Sequence, residues 1–111
     1  MATKMEIRND QAAVEPEILP GVDDLLEALL ALRAPDELLR FLRDLCTRSE
    51  LEAMAHRWQI VQLLDDGLPY LDVAEKAQAS TATVTRVAQW LRHGTGGYQT
   101  ALDRTKRKRK K

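Results

Sequence analysis

The stretch Ser80-Thr81-Ala82-Thr83-Val84-Thr85-Arg86 sets a capping hydroxyl ahead of a run of short side chains that ends in a guanidinium. Serine suits an N-cap because its oxygen accepts from a first-turn amide that has no partner inside the helix, so a helix is predicted from Thr81. Val84, Val87 and Leu91 recur at helical spacing as its inward stripe, which turns Thr81, Ala82, Thr85 and Arg86 outward near its start. Short side chains let a helix end approach the edges of nucleic-acid bases, where a hydroxyl bonds donor or acceptor and a methyl meets the thymine methyl. Arg86 can reach a guanine edge or a phosphate, and one bidentate base contact contributes about 1–3 kcal/mol of discrimination. Gln89, Arg92 and Lys76 are placed for phosphates. The same pattern also fits an ordinary capped surface helix.

Other chemistry is sparse. Glu52 and His56 lie one helical turn apart, but a metal site needs at least three ligands and His93 has no acidic company, so a solvated pair is expected. Cys46, the single cysteine, sits in an apolar stretch and reads as a buried thiol, with no disulfide and no cysteine-pair metal site. With no glycine-rich phosphate loop and no catalytic dyad, neither an enzyme nor a cofactor is predicted.

The elements that would position the Ser80 segment are all helical. Leu25, Leu26, Leu29, Leu30 and Leu32 predict a helix over 22–33, and Pro35, followed by Asp36 and Glu37, opens a second one carrying Leu38, Leu39, Phe41, Leu42 and Leu45. Both Thr47-x-x-Glu50 and Ser49-x-x-Glu52 fit a capping box for a third helix through Leu51, Met54, Ala55, Trp58, Val61 and Leu64, stopped by Gly67. Short helices over 70–77 and 81–92 follow, separated by Gln78-Ala79-Ser80, and Gly94 to Gly97 break the chain before a segment over 98–104. Val73 and Ala77 face inward on the first of that pair, and Ala74 is the small residue where the two cross, as a helix-turn-helix over about 71–92 requires. Gln78 stands in the turn where glycine is usual, which implies a strained residue or a slightly different turn, and Leu68-Pro69 offers the first helix no side-chain cap.

With 111 residues, 44% of them hydrophobic and 31% charged, the chain amounts to one all-α domain over 21–104 between an N-terminal arm, 1–20, and a basic tail, 105–111. The leucines of the first two helices exceed what so small a chain can hide, so a homodimer is expected. No apolar run approaches the roughly 18 residues of a membrane span, and Met1 to Glu6 lack the order of a signal peptide; the expectation is a cytoplasmic protein without membrane contact. The formal charge is zero, yet residues 1–39 hold three basic against nine acidic residues and residues 76–111 hold ten against one. Such polarity draws polyanions to the C-terminal part, and each phosphate neutralised by Lys106 to Lys111 would steepen the salt dependence of binding by about 0.9 in log–log slope.

The run Ala79 to Val87, with Gly94, Gly97 and Tyr98, resembles the YerC/YecD family of Trp repressor-like proteins. The likeness extends upstream through Phe41 to Thr47, Glu50-Leu51 and Ala55-His56-Arg57-Trp58, covering about residues 25–104. The resemblance implies an intertwined homodimer, in which the outer helices of both subunits build a shared core and two reading heads project, each formed by Leu71 to Ala77 and a recognition helix from Thr81. It further implies sequence-specific binding of double-stranded DNA by a transcriptional regulator. Arg57 and Arg86 match two positively charged residues of the Trp repressor's tryptophan pocket. The glycine after the second arginine is Val87 here, however, and the position three further on is Trp90, so these two are expected to fill the pocket from within and leave no tryptophan control. No other small-molecule effector is legible in the sequence. The alternative is a helix-turn-helix that docks on another protein without reading DNA.

Overall fold

The computed structural model describes residues 19–109, with side chains through Lys106. Nearly all of the arm over 1–20, and the last two residues of the basic run, lie outside the described residues. Six helices follow one another: α1 Val22–Ala31, α2 Pro35–Leu45, α3 Arg48–Asp65, α4 Tyr70–Ala77, α5 Thr81–His93 and α6 Gly97–Arg109. Among the described residues there is no strand, and no helix is long and apolar enough to cross a membrane.

Local chemistry sets the boundaries. Pro35 stands in the first turn of α2, where its missing N–H costs nothing, and Asp36 and Glu37 meet the positive end of the helix dipole. Of the two possible capping boxes, that of Thr47 forms: Thr47 Oγ1 accepts from the Glu50 amide at 3.1 Å, and Glu50 Oε1 accepts from the Thr47 amide at 2.8 Å. After α3, Gly67 takes φ 90°, a left-handed angle that costs glycine little. Helix α6 runs past Arg104, where the sequence suggested a stop. Lys106 Nζ lies 3.4 Å from Asp65 Oδ2 at the end of α3, and Thr105 Oγ1 donates to the Ala101 carbonyl at 2.9 Å.

The core is built by the second half of the chain. Ile60 and Val61 of α3, Val73, Ala74 and Ala77 of α4, Val84 and Val87 of α5, and Leu102 of α6 form one buried cluster, with α3 as the spine on which the others rest. Trp58 is half-buried against this cluster, 6.3 Å from the Tyr98 ring. Met54 and Ala55, expected on the inward stripe of α3, are exposed, because the buried residues of α3, Ile60 and Val61, lie on its later turns, where the core forms. Cys46, expected to be buried, is half-buried, since it sits where only α2 and α3 converge.

Helices α1 and α2 contribute no buried residue. Leu30 is 77% exposed, and Leu39 and Leu45 are about half exposed. The Cα radius of gyration is 15.7 Å, against about 13 Å for a compact domain of this length, and the principal extents are 49 × 34 × 30 Å. Part of the surplus apolar surface legible in the sequence therefore lies on the first two helices, and Leu71 of α4 and Trp90 of α5 expose more of it.

Candidate nucleic-acid interface

Helices α4 and α5 form a helix-turn-helix seated on α3. The contact between them is built from small side chains, with Ala74 and Ala77 of α4 facing Val84, Val87 and Ala88 of α5, so the two backbones approach closely. The turn carries the strain expected of it: Gln78 has φ 56° and ψ 51°, the left-handed conformation disfavoured for residues with a Cβ. Amides of Gln78 and Ala79 return to the carbonyls of Glu75, at 3.2 Å, and Ala74, at 2.9 Å, the paired closure that commonly ends a helix before such a residue.

Ser80 caps α5 as its type predicts, its Oγ accepting from the Thr83 amide at 3.1 Å. This satisfies one orphan donor of the first turn and leaves the amides of Thr81 and Ala82 directed out along the helix axis. Thr81, Ala82, Thr85, Arg86, Gln89 and Arg92 of α5 and Lys76 of α4 are all exposed. With about 100° between successive residues, Ala82, Arg86 and Gln89 share the stripe opposite the buried Val84, Val87 and Ala88, with Thr81 and Thr85 along one flank. Helical phase adds His93 to the outer stripe, four residues beyond Gln89, a placement readable from the spacing but missed when only the start of the helix is considered. Arg92 is not a free cation: its guanidinium carbon lies 5.8 Å from the centre of the Tyr70 ring, tying the end of α5 to the start of α4.

Arg57, Arg86, Val87 and Trp90 are brought together around one cleft of about 470 Å³ between α3 and α5, which His56 and Tyr98 also line. Val87 is 4% exposed at its floor and Trp90 is 62% exposed at its rim, so within a single chain the cleft stands open. The indole folds back toward Gly94, where a Cβ would lie 2.9 Å from the indole Cε3 and 2.5 Å from the Trp90 carbonyl oxygen. Glycine at 94 is what lets the chain turn away beneath that ring. Glu52 and His56 do not act as a pair: Glu52 Oε2 meets Arg48 Nε at 3.1 Å, whereas the half-buried His56 turns inward to the Ala77 carbonyl at 2.7 Å. Among the described residues no group of three or more histidine, cysteine or carboxylate side chains could hold a metal.

The family model of the Trp repressor protein matches residues 20–106, which takes in all six helices nearly to the end of α6. The chain belongs to the Trp repressor family. Within it, the YerC protein of Bacillus subtilis (strain 168) is 38% identical over 85 residues, covering 77% of this chain and 82% of that protein. Two solved structures share the fold. A TrpR-like protein from Eubacterium eligens superposes with a TM-score of 0.73 at 37% identity over 78% of this chain and 89% of its own. A Trp repressor candidate from Staphylococcus aureus gives 0.73 at 34% identity, over 78% and 86%.

Proposed function

We propose that this member of the Trp repressor family is a sequence-specific transcriptional regulator that binds double-stranded DNA as a homodimer and is not controlled by tryptophan. The observation that carries the reading is the bare first turn of α5: a capped helix start on the outer face of a helix-turn-helix, bearing Thr81, Ala82, Thr85 and Arg86 in the open. A helix so presented fits the major groove, which is wide enough to admit it. Thr81, Ala82, Thr85 and Arg86 face base edges, and Gln89, Lys76 and Arg92 face phosphates. Arg92 does so while stacked on Tyr70, a contact that orders the side chain ahead of binding.

The second copy is supported by α1 and α2. Two helices that contribute no fully buried residue in one chain and expose Leu30, Leu39 and Leu45 are served by an apolar partner, and a twofold-related pair of such surfaces satisfies both chains at once. Two heads then meet half-sites about one helical turn of DNA apart. The absence of tryptophan control is supported by Val87, whose isopropyl group lines the cleft beside Arg57 and Arg86; the Trp90 indole is mostly exposed at the rim and, contrary to expectation, does not fill the cleft.

Selection of bound fragments from random DNA, followed by mobility shift against competitor, tests the reading. A roughly palindromic site that survives competitor is the expected result. Absence of binding at moderate salt would overturn the regulator and favour a module that docks on another protein. Calorimetry with free tryptophan tests the cleft separately, and saturable micromolar binding would refute its lack of control.

A further inference from the structure

We infer that His56 is a positioning residue for the recognition helix, fixing the turn between α4 and α5 by holding the last carbonyl of α4. Its consequence for DNA rests on the regulator reading above, whereas its geometry does not. The closing amides of Gln78 and Ala79 go to Glu75 and Ala74, so they leave the Ala77 carbonyl without a backbone donor. Ala77 is 5% exposed, which keeps water from serving that oxygen well. His56 Nε2 lies 2.7 Å from it, reaching across from α3 over 21 positions of sequence. Side-chain bonds such as those of Thr47 with Glu50 and Arg48 with Glu52 merely cap or decorate a single helix.

Three features make this contact a strut rather than a convenience. Its base is stationary, because Ile60, one turn along α3 from His56, is fully buried in the core. Its far end meets the chain immediately before Gln78, whose left-handed backbone is the least favourable of the turn and the place where the segment would first relax. The next element after that point is α5, capped by Ser80, so a change in the Ala77 peptide plane is passed to the axis of α5. A carbonyl can only accept, and Nε2 must therefore carry hydrogen in this contact. The ring also lines the cleft beside Arg57 and Arg86, so an occupant of that cleft would press on the turn through His56.

Two measurements on the intact chain decide the matter. Nitrogen-15 spectra of the imidazole should show Nε2 protonated at neutral pH; a ring carrying its hydrogen on Nδ1 alone would overturn the inference without any variant. Amide hydrogen exchange at Gln78 and Ala79 should quicken about 10-fold in His56→Leu, the scale of leaving one buried carbonyl unpaired, and stay within about threefold of the original in His56→Gln, whose amide nitrogen can donate in place of Nε2. Affinity for the selected DNA should fall about 10-fold in the leucine variant and recover in the glutamine one. Unchanged exchange in both variants, or glutamine behaving like leucine, would refute the strut. Failure of the unaltered protein to bind any DNA would instead refute the regulator reading, leaving the exchange data to decide His56 alone.

Discussion

Replacing Gln78 by glycine should stabilise the protein, although it removes a side chain and adds backbone freedom. The residue stands at φ 56° and ψ 51°, and holding an L-residue there costs about 1–2 kcal/mol relative to the right-handed helical region. Glycine escapes that cost but loses about 0.5–1 kcal/mol more entropy on folding than a residue with a Cβ. Gln78 is exposed, so little packing is lost to set against the difference. The net gain is about 0.5–1 kcal/mol, which for a domain of this size raises the melting temperature by about 2–8 °C. Thermal unfolding followed by circular dichroism, at one fixed protein concentration, reads this directly. Gln78→Val provides the opposite arm, since a β-branched residue fits the left-handed region worst and should lower the midpoint. A midpoint unmoved or lowered in Gln78→Gly would mean that the turn is not strained, and the argument from its dihedral angles would fail.

Ser80→Ala removes the oxygen that accepts from the Thr83 amide and should cost about 1 kcal/mol by denaturant titration, with no loss of secondary structure elsewhere. Leu102→Ala opens a cavity under a side chain that is fully buried and should cost about 2–5 kcal/mol by the same measurement. Leu30→Glu together with Leu39→Glu places charge on the exposed faces of α1 and α2 and should turn the proposed dimer into a monomer in sedimentation; an unchanged sedimentation coefficient would refute a dimer built on these faces. In binding assays Arg86→Ala should erase preference at one base position of each half-site, whereas uniform weakening across sequences would mark a phosphate contact instead.

Most of the architecture is legible in the sequence because its signals are local. Pro35, Thr47 with Glu50, Gly67 and Ser80 each mark a helix end through chemistry that involves only near neighbours, and the helices begin and stop beside them. The outer face of α5 is legible for the same reason, since helical phase and one cap suffice to place Thr81, Ala82, Thr85 and Arg86. What escapes local reading depends on contacts between distant segments. Thr47 and Ser49 offer equivalent boxes in sequence, and only the path of the chain leaving α2 selects the first. The inward face of α3 shifts toward Ile60 because three later helices cover that end, and no window around Met54 contains this information. His56 resembles a surface histidine beside Glu52 until α4 brings the Ala77 carbonyl beside it. The far end of α6 has no apolar period to announce it, and its link to Asp65 joins residues that are remote in sequence.

That α1 and α2 own no interior, while α3 through α6 share one, divides labour along the chain. In the regulator proposed above, the later helices would determine which bases are read, and the earlier ones how many copies do the reading. Under that proposal, substitutions on α1 or α2 would tune the steepness of operator occupancy against protein concentration without touching the letters recognised, and a change of operator could evolve on α5 without renegotiating the partnership.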